Sequence, residues 1–549
     1  MRMMALQRPV YLYTLCLLLG ITTTSVAQKK FNSPPALRKQ GTATQLLVED
    51  KPFLVLGGET GNSSASDMAY MKSVWTAVNA MHLNTVLVPI YWELLEPEKG
   101  RFDFSLVDSL LYDARKHNLK LALLWFGSWK NSMSCYAPAW VKKDYETYPR
   151  AYTKDGVAQE ILTPFSANNL QADIAAYSAL VKHIKEQDEA YHTVIMIQVE
   201  NEIGMLPDAR DYHPQATRAF MSEVPKELMR HLQQNKKTLA PAIVKAWQSN
   251  GFKTTGNWET VFGKSLATDE MFIAWHFAQY TNRVTEAGKK IYPLPMFVNA
   301  ALNRPTVKPG DYPSGGPLPH IIDIWKAGAP AVDFLSPDFY NPDFTYWNDL
   351  YTRADNPLFI PEIRFDSTVN AKVFYALGHY HAMGFSPFSI ESAHRPEQHP
   401  LGKSYAVLHQ LVPLITAHQG KATMNGSLVD KTNAVDTLRF GRYIFTVKHD
   451  YTLGWSADAK KGSWPQGGVT IVQLGADEFV VAGTGVVVTF ASATGKGPVG
   501  ILTIEEGEYI DGKWKAGRVM NGDQSHQGRH LRFAVGEVGI QRLVLYQYH

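Results

Sequence analysis

Two carboxylate side chains each follow a short apolar run that predicts a buried strand. The first run, Val194 to Val199, leads to Asn201 and Glu202, and the second, Leu358 to Pro361, leads to Glu362. Short β-branched runs bounded by polar residues are typical of buried strands, and a (β/α)8 barrel carries its chemistry at the carboxyl ends of its strands. Two facing carboxyl groups can protonate a leaving oxygen and attack a carbon or activate water, which is what cleavage of a glycosidic bond requires.

Eight such strand-like runs alternate with segments of helical length, such as Asp67 to His82 and Phe104 to His117, whose apolar residues recur at helical spacing. The runs are Phe53 to Gly58, Thr85 to Tyr91, Leu119 to Trp125, Val194 to Val199, Met296 to Asn299, Phe334 to Ser336, Leu358 to Pro361 and Phe385 to Ile390. Alternating strands and helices predict a parallel sheet with right-handed crossovers, and eight units close a barrel. The sequence therefore predicts an α/β fold, with a (β/α)8 TIM barrel in residues 28–415.

Residues 416–549 have a different composition, dominated by glycine and β-branched residues. Runs such as Phe479 to Thr489 and Val499 to Ile504 read as strands, and Asp511-Gly512 is a hairpin signal. We expect a C-terminal antiparallel β-sandwich, with Gly462 to Gly468 as a candidate break. Such a domain either binds sugar or braces the barrel, and no row of exposed aromatic residues can be assigned to it.

The N-terminus has the pattern of a secretory signal peptide. Arg2 and Arg8 precede the apolar run Val10 to Ile21, and Ser25-Val26-Ala27 supplies small residues for cleavage. The apolar run is too short to span a bilayer as a stable anchor. We predict that residues 1–27 are removed on export, which leaves a periplasmic or secreted protein without a membrane anchor. Cys135 is then the one remaining cysteine, so the fold must be held by its core rather than by disulfides.

Composition and motif searches argue against several other classes of protein. The formal net charge is only +3 over 549 residues, and no basic stripe points to nucleic acid. His379 and His381 are two residues apart in a helical segment and cannot share a helix face, and no spacing of Cys or His matches a zinc site. Phosphate-cradling glycine loops and the Gly-x-Ser-x-Gly elbow are also missing from the sequence. We therefore expect neither a metal nor another cofactor.

Two motifs resemble a known family. Residues Tyr91 to Phe104 resemble the second-strand signature of the large retaining clan of barrel glycosidases, and together with Gln198 to Gly204 they resemble glycoside hydrolase family 35, the β-galactosidases. The segment Gly57 to Asn62 and the β-rich tail are similar to the bacterial branch, whose members act on galactosyl side chains of plant polysaccharides. The resemblance covers the barrel well and the tail loosely. It implies a retaining exo-β-galactosidase acting on oligosaccharides or polysaccharides.

The resemblance also implies roles for individual residues. Glu202 would be the acid/base and Glu362 the nucleophile, while Asn201 would bind the 2-hydroxyl of the sugar and Tyr340 would hold the carboxylate of Glu362. The family's Asn-Ala-Glu triplet after strand three is replaced here by Phe126 to Asn131. This departure leaves open a glycosidase that acts on another terminal sugar, in a β-glucoside or an α-L-arabinoside. A sugar-binding protein without catalytic activity is a further alternative.

Other side chains near the predicted strand ends have two interpretations each. Glu59 would either bind sugar hydroxyls or pair with an Arg or Lys of the barrel. Trp125 and Trp129 would either stack on the sugar ring or pack in the core. Glu200, two residues before Glu202, is expected on the same strand face, one layer deeper, as an anchor of a network beneath the site.

The two catalytic candidates should also influence each other. Hydrolysis with retention of the anomeric configuration requires their carboxyl groups to lie about 5 to 5.5 Å apart. Two carboxyl groups at that distance do not both ionise readily, because their negative charges repel each other. We expect the pKa of Glu202 to be raised, so that Glu202 stays protonated while Glu362 is ionised.

Overall fold

The computed structural model describes residues 33–304, 306–520 and 522–548. The expected signal peptide, residues 1–27, lies outside the described residues. Within those residues, none of the helices combines the length and apolar character needed to cross a membrane.

The first part of the chain alternates strands and helices. Its strands are β1 Ala36–Gln40, β2 Ala43–Val48, β3 Lys51–Phe53, β4 Val55–Glu59, β5 Thr85–Tyr91, β6 Lys120–Lys130, β7 Arg150–Tyr152, β8 Ala158–Leu162, β9 Val194–Asn201, β10 Met296–Ala301, β11 Phe334–Phe339, β12 Ile360–Ile363 and β13 Gly384–Pro387. Its helices are α1 Met68–Ala80, α2 Trp92–Leu95, α3 Ser105–Lys116, α4 Ala139–Lys143, α5 Ala167–Asp188, α6 Pro214–Met221, α7 Lys226–Gln234, α8 Pro241–Ser249, α9 Trp258–Phe262, α10 Leu266–Ile291, α11 Ile322–Gly328, α12 Phe344–Tyr351, α13 Val369–Gly378 and α14 Pro400–His418.

The rest of the chain is mainly β-structure. Its strands are β14 Met424–Val429, β15 Val435–Phe440, β16 Tyr443–His449, β17 Gly467–Gln473, β18 Glu478–Thr484, β19 Val486–Ser492, β20 Val499–Ile510, β21 Lys513–Val519, β22 Leu531–Phe533 and β23 Gly539–Gln547. Short 3-10 helices occur at Ser64–Ser66, Pro319–Ile321, Ile390–Ser392, Pro396–Gln398, Asp450–Leu453, Ala457–Lys460 and Gly522–Ser525.

Eight strands close the predicted barrel, in the order β4, β5, β6, β9, β10, β11, β12 and β13. Every neighbouring pair is parallel, as right-handed βα units require. The strands are apolar on both faces because one face fills the barrel and the other meets the helices. The predicted (β/α)8 fold is confirmed.

Two barrel strands differ from their predicted bounds in ways that affect the site. Strand β6 continues past Trp125 to Lys130, which carries five more residues to the mouth of the barrel. Strand β13 ends at Pro387, and Ile390–Ser392 forms a 3-10 helix instead of a strand end.

The C-terminal strands form two antiparallel sheets. One sheet has the order β14-β17-β18-β23-β20-β21 and the other β15-β16-β19-β22, and buried residues from both sheets make a separate core. This arrangement confirms the predicted sandwich. The sandwich packs on α13 of the barrel: the Thr470 hydroxyl donates to the carbonyl of Phe374 at 2.7 Å, and a Cβ at Gly468 would lie 2.1 Å from the carbonyl oxygen of Ala371. The close backbone approach at Gly468 requires glycine.

Candidate active site

Five charged side chains meet at the mouth of the barrel. Glu59 ends β4, Lys130 ends β6, Glu202 follows β9, Asp338 lies in β11 and Glu362 lies in β12. Each residue is at most 5% exposed. The carboxyl ends of parallel barrel strands point to one face, so residues distant in sequence form one buried cluster of four carboxyl groups and a single ammonium group.

The two predicted catalytic residues lie together within this cluster. One carboxylate oxygen from each of Glu202, Asp338 and Glu362 lies within 4.8 Å of the others. Asp338 and Glu362 are register partners on adjacent strands, which explains their proximity. Oxygens at this spacing could bind a hard cation, but Lys130 already supplies positive charge there, so we assign no metal to the group.

Amide and hydroxyl donors hold each carboxyl group in place. Tyr340 donates to Oε1 of Glu362, as the family resemblance implied, and Asn131 donates to Oε2 of Glu202. Asn299 serves two partners, since its Nδ2 donates to Oδ2 of Asp338 at 2.7 Å and its Oδ1 accepts the backbone N–H of Glu202 at 3.0 Å.

Burial raises the pKa of both catalytic candidates. Desolvation, followed by repulsion from Glu202, raises the pKa of Glu362 to about 7, although Lys130 and the hydroxyl of Tyr340 oppose the rise. Desolvation also raises the pKa of Glu202, against the attraction of Lys130 and hydrogen bonds from Asp338 and Asn131. The expected rise at Glu202 is present, with burial rather than repulsion as its first cause, and the pKa of Glu362 is raised as well because Glu362 is itself buried.

Several buried polar atoms at the mouth have no hydrogen-bond partner among the described residues. They include both oxygens of Glu59, both amide atoms of Asn201, Oδ1 of Asp338 and Oε2 of Glu362. Buried polar groups are normally satisfied, so such a cluster is typical of a site that binds a polar ligand. Glu59 makes no ion pair with Lys130 within 4.0 Å, although Lys130 lowers its pKa against the larger effect of burial.

Trp125 and Trp129 do not line this mouth, which corrects the prediction of a stacking wall. Trp125 donates its indole N–H to Asp173 on α5 at 2.9 Å. Trp129 donates to the carbonyl of Leu162 at 3.1 Å and packs edge-on against Tyr280. Both rings are fully buried. Their contacts place both rings on the outer face of the barrel wall. Because both faces of a parallel barrel strand are apolar, sequence alone does not show which face a tryptophan occupies.

Glu200 also differs from expectation. Its backbone φ is +62°, which breaks the alternation of side chains along β9, so Glu200 does not share the face of Glu202. Its Oε2 instead accepts the backbone N–H of Trp129 at 2.7 Å.

Sequence reasoning missed four polar residues of the site: Lys130, Asn131, Asn299 and Asp338. Lys130 and Asn131 lie in the stretch that departs from the family 35 pattern, and that departure was the available signal. Asn299 and Asp338 lie at the ends of correctly predicted strands, where any polar side chain is a candidate.

Two family models match this chain. The model of glycoside hydrolase family 42, described as Beta-galactosidase, matches residues 62–266, and a domain of unknown function, DUF5597, matches residues 401–532. The first match includes β5 to β9 and Glu202, and it supports the expectation that the barrel is similar to that of a glycoside hydrolase. The resemblance to family 35 is not confirmed, because the model that matches is that of family 42.

Individual relatives match over part of the chain. A β-galactosidase from Xanthomonas manihotis is 29% identical over 185 residues, which are 32% of this chain and 28% of that protein. A solved β-galactosidase from Bacillus circulans sp. alkalophilus has 14% identity and a TM-score of 0.45, covering 66% of this chain and 57% of that one. A catalytic mutant of Gan42B, a GH42 β-galactosidase from G. stearothermophilus, has 12% identity and a TM-score of 0.45. The match covers 69% of this chain and 59% of that one. This chain therefore spans about a quarter of the curated relative's length.

Proposed function

We propose that this chain is a retaining exo-β-galactosidase that removes terminal β-galactosyl residues from oligosaccharides or plant polysaccharide side chains. The observation that carries the proposal is the approach of Glu202 and Glu362, whose nearest oxygens lie within 4.8 Å on strand ends of one barrel. Retaining glycosidases place their carboxyl groups about 5 to 5.5 Å apart, whereas inverting enzymes leave a wider gap of about 6.5 to 9.5 Å for water. The short spacing supports double displacement.

In this proposal Glu362 attacks the anomeric carbon and Glu202 protonates the leaving oxygen. The hydroxyl of Tyr340 stabilises the ionised form of Glu362, while burial favours the protonated form of Glu202. Once Glu362 is esterified its negative charge is lost, so the pKa of Glu202 falls and Glu202 can act as the base that activates water. The unpartnered atoms of Asn201 and Glu59 are available to bind sugar hydroxyls.

We further propose that the protein works after export, in the periplasm or outside the cell, because residues 1–27 have the pattern of a signal peptide. The choice of galactose is supported by the description of the family model that matches the barrel.

The test is hydrolysis of chromogenic β-galactoside, β-glucoside and α-L-arabinoside by the wild type and by Glu362→Gly, with proton NMR of the first sugar anomer released. We expect β-galactose from the wild type and no turnover by the variant. Glu186→Gln, which changes an exposed glutamate of α5, is the matched control and should keep full activity. Release of α-galactose would contradict retention, and preference for another glycoside would contradict the choice of sugar.

A further inference from the structure

Trp455, in the C-terminal sandwich, is the most exposed tryptophan among the described residues. It lies in the segment 450–466 between β16 and β17, and 52% of its surface is exposed. Trp464, in the same segment, instead stacks on the ring of His449 with 4.8 Å between the ring centroids. Single exposed apolar residues are common, but tryptophan is enriched at binding surfaces, so the surroundings of Trp455 decide its role.

Contacts on several sides hold the ring of Trp455 in one orientation. The guanidinium carbon of Arg532 lies over the ring, 5.0 Å from its centroid. Arg532 is fixed in turn by the buried Asp450, which accepts from Nε at 2.6 Å and from Nη2 at 3.3 Å. The rings of His526 and His530 lie 5.7 and 5.8 Å from that of Trp455. The exposed part of the indole is therefore held in place before any ligand arrives, which limits the entropy lost on binding.

We use the name Trp455 platform for Trp455, His526 and His530. His530 is 3% exposed, and its Nε2 has no hydrogen-bond partner among the described residues. Buried polar atoms are normally hydrogen-bonded, and a ligand hydroxyl beside Trp455 would satisfy this nitrogen. His526 and Gln527 have φ values of +50° and +55°, and backbone strain of this kind clusters at sites that bind ligands. The platform thus combines an open aromatic ring with an unsatisfied polar atom.

The topology places the segment that carries Trp455 at the catalytic end of the molecule. Helix α13 follows β12, and a helix that follows a barrel strand begins at the carboxyl face of the barrel. Gly468 of β17 lies against Ala371 in the first turn of this helix. Thr470, two residues later, donates to the carbonyl of Phe374 in the second turn. The start of β17, which follows the segment 450–466, therefore lies at the same end as the barrel mouth.

A cavity between the two domains supports the same placement. Arg532, which contacts Trp455, lines a cavity of about 360 Å³ together with Lys403. Lys403 belongs to the first turn of α14, which follows the last barrel strand and also begins at the carboxyl face. The platform therefore lies beside the barrel rim, where a polymer would extend when its terminal sugar is in the mouth.

We propose that the Trp455 platform is a second carbohydrate-binding site, which holds the main chain of a polysaccharide while its terminal galactosyl residue occupies the barrel mouth. Aromatic rings suit the C–H faces of pyranose sugars, and imidazole nitrogens suit their hydroxyl groups. Because Asp450 pairs with Arg532, the platform suits an uncharged sugar chain. The choice of polymer rests on the proposed function, whereas the existence of the platform does not.

Burial, followed by the charges of His526 and Arg532, also lowers the pKa of His530 to about 4. The imidazole of His530 is therefore neutral near pH 7 and can hydrogen-bond a hydroxyl group without adding charge to the platform.

The first test is native electrophoresis of the full-length protein through gels that contain a soluble polysaccharide, either β-1,4-galactan, xyloglucan or arabinoxylan. We expect at least one polymer to retard the wild type, and Trp455→Ala to weaken that affinity by about tenfold or more, since tryptophans at the centre of an interface carry much of its binding energy. Trp455→Phe keeps a smaller aromatic face and should fall between the two. Tyr112→Ala, at an exposed ring of α3, is the matched control and should bind like the wild type.

Two results of this test would overturn the proposal. One is that none of the three polymers retards the wild type, and the other is that Trp455→Ala is retarded as strongly as the wild type. If Trp455→Ala does not fold, His526→Ala removes the neighbouring ring and should weaken the same affinity to a smaller degree, while an unchanged affinity would count against the platform.

The second test separates the platform from the barrel mouth. Trp455→Ala should keep kcat and KM for a small chromogenic β-galactoside within about twofold of the wild type, because this substrate reaches only the mouth. For a polysaccharide with terminal β-galactose, KM should rise by about fivefold or more at unchanged kcat, since a second site on the same molecule raises the affinity for a polymer. An equal change for both substrates would refute the platform.

The two tests also distinguish a failure of the platform from a failure of the proposed function. If a polysaccharide retards the wild type through Trp455 but no galactoside is hydrolysed, the proposed function fails and the platform stands. If the chromogenic galactoside is hydrolysed but Trp455→Ala binds each polymer like the wild type, the platform alone fails.

Discussion

Replacing Tyr340 by Phe removes the hydroxyl that donates to Oε1 of Glu362 and leaves the aromatic ring in place. A hydrogen bond to a charged group contributes about 1.5 to 3 kcal/mol, and one pKa unit corresponds to about 1.4 kcal/mol. Tyr340 is 40% exposed, so water can replace part of the lost bond and the lower end of that range applies. The pKa of Glu362, already about 7, should rise by about one unit.

This shift predicts a pH-dependent loss of activity. Glu362 must be ionised to attack, so kcat/KM of Tyr340→Phe should be about tenfold below wild type at pH 6 and within about twofold at pH 9. The assay is the pH profile of kcat/KM on a chromogenic β-galactoside. Tyr346→Phe, at an exposed tyrosine of α12, is the control and should match the wild-type profile. A loss that is the same at every pH, or an acidic limb that does not move, would refute the role given to Tyr340.

Two further substitutions test the site and its support. Lys130→Met should move both limbs of the same pH profile to higher pH, because the ammonium of Lys130 lowers the pKa of both Glu202 and Glu362; an unchanged profile would exclude its electrostatic role. Gly127→Ala should lower the free energy of unfolding by about 1 to 3 kcal/mol in denaturant titration, since the new Cβ would lie 2.2 Å from a buried indole nitrogen. Gly462→Ala, where nothing lies within 4 Å, should show a far smaller loss, and equal losses would contradict the packing argument.

Much of the fold follows from the sequence because each barrel strand is a short apolar run. The run Thr85 to Tyr91 matches β5 at both ends. The predicted third strand ends at Trp125 because Gly127 and Ser128 interrupt its apolar pattern. In the structure β6 continues, since Gly127 leaves room for Trp125 and Glu200 and the hydroxyl of Ser128 donates to the buried Asp173.

Part of the candidate site could also be predicted from the positions of the strand runs. Glu202 and Glu362 could be found because they lie within three residues of the end of a strand run. The outward orientation of Trp129 could not, since both faces of a parallel strand are apolar. The turn of Glu200 away from the mouth depends on a left-handed backbone at a residue other than glycine, which long-range contacts impose and local sequence does not encode.

In the proposed mechanism, Glu362 forms a covalent bond with the sugar. Incubation with a 2-deoxy-2-fluoro-β-galactoside bearing a good leaving group slows breakdown of the glycosyl ester, and mass spectrometry of the digested protein then locates the attached sugar. We predict stoichiometric labelling of the peptide that contains Glu362, with the sugar on that residue. Labelling of another carboxylate, or hydrolysis of unmodified galactosides without any labelled protein, would contradict the account.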